Sequence, residues 1–494
     1  MARESPWETH QTLITFPLSH RPVTHVTTPP PFLFFSLLRW VERNGPFKSV
    51  AITLFLTPAG WALACIGSYQ KNYGIEILYG ITHGFGCGLA YISITSALQR
   101  WYPEFKGLAT GIAVMGFGLG SFIWTTFGKN LMTPQATNPY GIAPLEVYKV
   151  QGIFAAIFLG GIALALPFLR EPPPGYLPPD HHHLTEEKSC RGALVRMFVV
   201  KSGNAHATEE KFTFLQALMT QEMALISFAF FSVEITGLVF LSSAADMVQN
   251  TFGFTSTKAA DITSYLNLVN FAGRVGWGFL SDKIGRKTFY LISAATQSFA
   301  VGTMALWIAG QGDGYGNWLG SFLIIGSLYG GGFGVIPAFM SDLFGPKISA
   351  ATHGVMIGVW ASAAIIGIPC FTTYTSTDYY LSGTTKITNS TAYIHNTYWL
   401  CALPTAGFFA LLFLNVVPED RELRQAKLDW RMRIFSYILR INFAEGGFTF
   451  MNKEAQAEEY AALINKGRKA ESKENPGPID SEPQLKLAEI VSAA

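Results

Sequence analysis

The stretch NLVNFAGRVGWGFLSDKIGRK, residues 267–287, carries one arginine, Arg274, inside an apolar, glycine-studded run that ends in a cluster of charge. At 3.6 residues per turn, Asn267, Asn270, Arg274 and Gly278 share one helical face. An arginine at the centre of a membrane helix costs about 2.5–3.5 kcal/mol on insertion scales and is rarely left against acyl chains. The polar face therefore points into a protein cavity. A permanently charged, planar fork suits a carboxylate, which it holds through two parallel hydrogen bonds. The alternative is an internal salt bridge that only joins helices, with Glu234 in the middle of FFSVEITGLVF (230–240) as the obvious partner.

The rest of the chain makes a membrane the natural setting. Only 14% of its 494 residues are charged, against about a quarter in soluble domains. The charges gather between apolar runs of about 20 residues, long enough to cross about 30 Å of hydrocarbon. Full spans are expected near 49–68, 77–97, 107–128, 150–169, 223–245, 262–281, 288–310, 318–341, 350–373 and 397–417, with Pro31–Trp40 as the end of one more helix. One set of short loops carries nine Lys and Arg: Arg39, Arg43, Lys48, Arg100, Lys106, Lys283, Arg286, Lys287 and Lys347. The longer alternate loops carry five, so the basic set is expected on the cytoplasmic side, with the linker 170–212 and the tail 419–494. The plasma membrane is the expected location. Asn389-Ser390-Thr391 then falls in an outside loop, where a glycan has access.

The two halves, 31–169 and 213–418, echo each other. ERNGPFK (42–48) parallels SDKIGRK (281–287), and Gly80, Gly84 and Gly88 parallel Gly326, Gly330 and Gly334. YPEFKG (102–107) precedes its span as DLFGPK (342–347) precedes its own. Duplicated halves are the organisation of secondary transporters. In the second half two spans precede the charged loop. In the first, residues 1–30 are polar and proline-rich, so that half is expected to lack its first helix and most of its second, which points to an incomplete reading frame.

These loops resemble those of the major facilitator superfamily, whose halves each carry a G-x-x-x-D-R-x-G-R-type loop. SDKIGRK matches well; ERNGPFK is degraded, with Glu42 for the aspartate. ISITSALQRWYPEFKGLATGIAVMGFGLGS (92–121) resembles the oxalate/formate antiporter branch, related to the monocarboxylate transporters. The resemblance covers about 40–418. It implies an all-α, multi-pass bundle of two halves with about 10–11 spans, working by alternating access. It also implies that Arg274, which stands eight residues before Asp282, contacts an anionic substrate. The oxalate antiporters use a lysine in the eleventh helix as well. Here HGVMIGVWASAAIIGIP (353–369) offers Trp360 and no cation. The expectation is a carrier of small monocarboxylates. A dicarboxylate exchanger of the oxalate/formate type, a proton-coupled carrier of neutral solutes and a non-transporting membrane sensor are the alternatives.

Asn270, Tyr329 and Trp360 are expected beside Arg274 at the substrate, with Phe333 a further aromatic near Tyr329. Glu234 is expected to couple protons, and Asp282 with Arg286 to bias one access state. Glycines at GxxxG spacing let helix backbones meet where lipid provides no hydrophobic drive. His83 between glycines reads as packing, and His181-His182-His183 as a solvated linker. The five cysteines lack ligand or disulfide spacing. No nucleophile–base pair, metal set or nucleotide loop marks an enzyme or a cofactor, and a net charge of +2 gives nothing for nucleic acid. A monomer in the bilayer is expected, with a small organic anion, and protons, as its partners. WRMRIFSYILRI (430–441), where arginines mix with bulky apolar residues, is expected as a helix lying on the membrane surface, and the final stretch GRKAESKENPGPIDSEPQ (467–484) as disordered.

Overall fold

Glycine sets the ends of several helices. Gly45 (φ 72°) interrupts the first, Gly285 (φ 93°) and Gly345 (φ 89°) stand between later ones, and all three occupy basic loops. Only a residue without Cβ adopts this left-handed backbone at little cost. Gly45 and Gly285 belong to the two parallel loops of the repeat, so the echo in sequence is also one of conformation.

The computed structural model describes residues 31–132, 145–173, 176, 213–382, 385–416, 430–434, 437–442, 447–452 and 455–462. The segment 1–30, most of the linker with its histidine triplet and Cys190, and the end of the tail lie outside the described residues. The first half contributes α1 (Pro31–Gln70, broken at Gly45), α2 (Tyr73–Trp101), α3 (Lys106–Met132) and α4 (Val147–Ala165). After the short α5 (Phe214–Leu218), the second half runs α6 (Gln221–Phe252), α7 (Ser256–Ile284), α8 (Arg286–Ala309), α9 (Tyr315–Phe344), α10 (Ser349–Thr377) and α11 (Ser390–Leu412). Each of the ten apolar runs falls in its own long helix. The last is displaced, ending at Leu412 rather than near 417.

Among the described residues, eight helices are long and apolar enough to cross a membrane by length and composition. The other two long ones are α7, whose face bears Asn267, Asn270 and Arg274, and α11. Threonine caps open α6 and α7: Thr220 and Thr255 accept the amides of Met223 and Lys258. The second half holds two large apolar clusters. Phe230, Tyr290, Phe339 and Leu411 anchor one near the charged loops; Val239, Met304, Trp318 and Tyr393 anchor the other toward the opposite end. The halves meet where α3 lies along α7 and α9, and where α2 meets α10.

Two small sheets complete the described chain. β1 (Tyr379–Ser382) and β2 (Thr385–Thr388) form a hairpin between α10 and α11. The expected surface helix at 430–441 is not formed. That sequence makes β3 (Trp430–Ile434) and β4 (Tyr437–Asn442), joined by β5 (Gly447–Asn452) in an antiparallel sheet. Of the twelve residues, Trp430, Ile434, Phe435, Tyr437, Ile438 and Ile441 are β-branched or aromatic, a composition that a paired strand accommodates well.

Candidate functional site

Arg274 lies midway along α7 and is only 6% exposed. Its Nε donates to Asn270 Oδ1 one turn earlier (3.0 Å), and its Nη1 donates to the carbonyl of Val114 on α3 (3.2 Å), in the other half. The guanidinium sits 4.8 Å from the ring centroid of Phe333 and 5.6 Å from that of Phe117, which adds cation–π attraction from both halves. Of its five N–H donors, two are used. Nη2 has no hydrogen-bond partner among the described residues.

The helices come this close because glycine lines both flanks of α7. A Cβ on Gly111 of α3 or on Gly334 of α9 would overlap the Arg274 carbonyl oxygen. The aromatic wall is set by α9 and α10: Trp360 Nε1 donates to Tyr329 Oη (3.1 Å), and Phe333 meets both rings nearly edge-on. Tyr329, Phe333 and Trp360 pack with Val114 of the first half in one apolar cluster in the space between the halves, with Phe333 against Arg274 and Asn270 hydrogen-bonded to that arginine.

Tyr91 of α2 completes that wall from the first half, its ring against Phe117 and its hydroxyl buried with no partner among the described residues. Sequence reasoning missed it. It stands in LAYISIT (89–95) with no charge or spacing to mark it, and only the packing of α2 brings it to this cluster.

Glu234, on α6, is fully buried, and the salt bridge with Arg274 is not formed. Both carboxyl oxygens lack a hydrogen-bond partner among the described residues, and Gly332 provides the slot they occupy, since a Cβ there would strike Oε1. The guanidinium is turned instead to Asn270 and Val114. His83 packs among Trp61, Tyr79 and Phe158 within the first half, with Nε2 3.4 Å from Cys87 Sγ, away from this space.

At the charged-loop end, Asp282 and Arg286 are ion-paired, and Asp282 reaches across the halves. Its two carboxylate oxygens accept the amides of Gly107 (3.0 Å) and Leu108 (2.9 Å), at the N-terminus of α3, where the helix dipole favours an anion. Beside it, Lys106 binds Asp342 (2.9 Å), Arg286 Nε approaches the same carboxylate (3.4 Å), and Thr110 donates to the Gly334 carbonyl (2.7 Å). Lys106 and Asp342 lie in corresponding loops of the repeat, which was the signal available for them. Among the described residues no group of three or more His, Cys, Asp or Glu is placed to hold a metal ion.

Comparison with known proteins agrees with this architecture. The model of the Major Facilitator Superfamily matches residues 31–368. The chain is 25% identical over 330 residues to the oxalate:formate antiporter of Oxalobacter formigenes, covering 66% of this chain and 69% of that protein. It is 24% identical over 351 residues to apicoplast pyruvate carrier 1 of Toxoplasma gondii, covering 64% of this chain and 62% of that one. Among solved structures, a double-tryptophan XylE mutant superposes with a TM-score of 0.55 at 16% identity, over 84% of this chain and 88% of the other, a likeness of fold. The family match spans well over half of the chain and falls on the helices that build the site, and this protein is a membrane transporter belonging to the Major Facilitator Superfamily.

Proposed function

We propose that the protein carries small organic anions, monocarboxylates foremost, by alternating access, with Arg274 holding the carboxylate between the halves. The observation that carries this reading is the state of the guanidinium: buried, clasped by groups of both halves, paired with no acid, and left with Nη2 unengaged. A carboxylate at Nη2 and the remaining Nη1 hydrogen satisfies the fork. The unpartnered hydroxyl of Tyr91 is a further donor in the same wall. α10 faces this space with Trp360 where a second cation would be needed for a dianion, which favours one carboxylate per cycle. The names of the two curated relatives, an oxalate:formate antiporter and a pyruvate carrier, lie in the same substrate class.

The test is flux of radiolabelled pyruvate, formate and oxalate in proteoliposomes. Wild type is expected to show saturable pyruvate flux that other monocarboxylates compete and sugars do not. Arg274→Ala is expected to abolish it, and Arg274→Lys to reduce it at least tenfold, because a point charge lacks the planar fork. Normal saturable flux in Arg274→Ala overturns the reading.

Glu234 is read as the proton-coupling group. A fully buried carboxylate without hydrogen bonds is costly, and carrying a proton removes that cost. The titratable groups around it are Arg274 on α7, Tyr290 on α8, Tyr329 on α9 and Tyr91 on α2. Glu234→Gln is expected to keep anion exchange while losing acceleration by an imposed proton gradient. Undiminished gradient-driven uptake in that variant removes this assignment.

A further inference from the structure

The two seams that join the halves at the charged-loop end are built differently. Along α3 the acceptors and donors meet: Asp282 with the Gly107 and Leu108 amides, Lys106 with Asp342, Thr110 with the Gly334 carbonyl. Between α2 and α10 the pairing is incomplete. Ser349 Oγ donates to Gln99 Oε1 (2.8 Å), and one turn deeper Thr95 Oγ1 lies 3.5 Å from His353 Nδ1. The Thr95 hydroxyl donates along its own helix to the Tyr91 carbonyl (2.8 Å), which leaves its oxygen to accept from His353, and we assign the imidazole hydrogen to Nδ1 on that ground. His353 Nε2 is then a bare lone pair. It is buried without a partner among the described residues, as are Gln99 Nε2 and Tyr91 Oη. His353 is 1% exposed and Gln99 4%.

Each such atom costs about 1–3 kcal/mol, and three of them lie together on this one seam between the halves. They make sense where partners arrive when the seam parts. Tyr91, Thr95 and Gln99 follow one another at i, i+4 and i+8, a line from the cluster beside Arg274 toward the charged-loop end. Ser349 and His353 line the opposing helix at the same spacing. The paired seam of α3 is a latch; the unpaired one has the chemistry of a passage.

We propose that this strip is a second, transient carboxylate site on the charged-loop leg of the route, with His353 as its substrate-contacting residue. When α2 and α10 separate, Thr95 releases Nδ1–H, which donates to a carboxylate leaving Arg274, while the Gln99 amide and water meet the remaining polar atoms. The proposal rests on the organic-anion reading above and adds a site one or more turns from Arg274 that acts on one side only.

The experiment uses the full chain in proteoliposomes made functionally one-sided with a membrane-impermeant thiol reagent, and radiolabelled pyruvate as the probe. His353→Leu is expected to raise KM for entry from the charged-loop side at least fivefold and to leave KM from the other side within twofold. His353→Asn, which keeps an N–H donor, is expected to stay within twofold on both sides. An unchanged KM at the charged-loop side, or an equal rise on both sides, overturns the proposal. Independently, Cys placed at Gln99 in a cysteine-free background is expected to react during turnover with an impermeant reagent from the charged-loop side alone, with protection by pyruvate. No labelling under turnover also overturns it. Failure of the transport reading itself is separate: wild type then shows no carboxylate flux, while its failure here leaves wild-type flux and the Arg274 effects intact.

Discussion

A methyl group on Gly330 would overlap the carbonyl oxygen of Asn270, whereas one on Gly316, in the same helix, would meet open space. Gly330→Ala is therefore expected to destabilise the protein by about 1–3 kcal/mol, the usual range for overpacking a close contact. Gly316→Ala is expected to be neutral or stabilising, because helix entropy alone favours alanine. Thermal unfolding in detergent reads the difference, and equal melting temperatures for the two variants would contradict the packing assigned to α9. The GxxxG spacing made Gly330 conspicuous in sequence, but its partner across the interface was not legible there. Asp378 gives a second test at this scale. The Asn389 amide first, and then the Thr391 hydroxyl, hold its carboxyl below the usual aspartate range, tying the first and last residues of the Asn-Ser-Thr triplet to the end of α10. A lowered value stabilises the folded loop above the ordinary range, and that contribution is lost as pH falls through the lowered value. Hydrogen exchange in the β1–β2 hairpin is expected to stay slow until pH drops below about 3.9. Asp378→Ala should show fast exchange already at neutral pH.

At the scale of the element, α7 was legible in almost every respect. Its polar stripe, its central arginine and the glycine at its end follow from periodicity and from the cost of charge in lipid. What it touches was not. The pair with Glu234 was a reasonable expectation, since both residues sit mid-span on consecutive helices. The structure instead gives Glu234 a slot over Gly332 and gives Arg274 a carbonyl from the opposite half. Helical spacing states which residues share a face, but the rotation of one helix against another decides which faces meet. The tail illustrates the reverse error. Trp430–Ile441 has too few residues for a helical period to be distinguished from alternation by composition alone, and pairing with β5 settles the matter in favour of strands.

For the whole molecule, the closed seam between Lys106 and Asp342 is where the proposed alternating access is tested. Their side chains bridge the halves at 2.9 Å, so cysteines at both positions are placed for a bifunctional thiol reagent about as long as that bridge. In a background free of other cysteines, cross-linking the pair with a bis-methanethiosulfonate is expected to stop anion flux, and reduction to restore it. Full activity of the cross-linked protein would mean that this end does not need to open.

Membrane residence, the number of long helices, the duplicated halves and the burial of Arg274 were determined by sequence alone, because lipid imposes length, apolarity and burial of charge on each helix separately. Tyr91, Val114, the Gly332 slot and the contrast between the two seams belong to tertiary structure. Each depends on residues of different helices meeting at a relative rotation that packing sets, and no local pattern encodes that rotation.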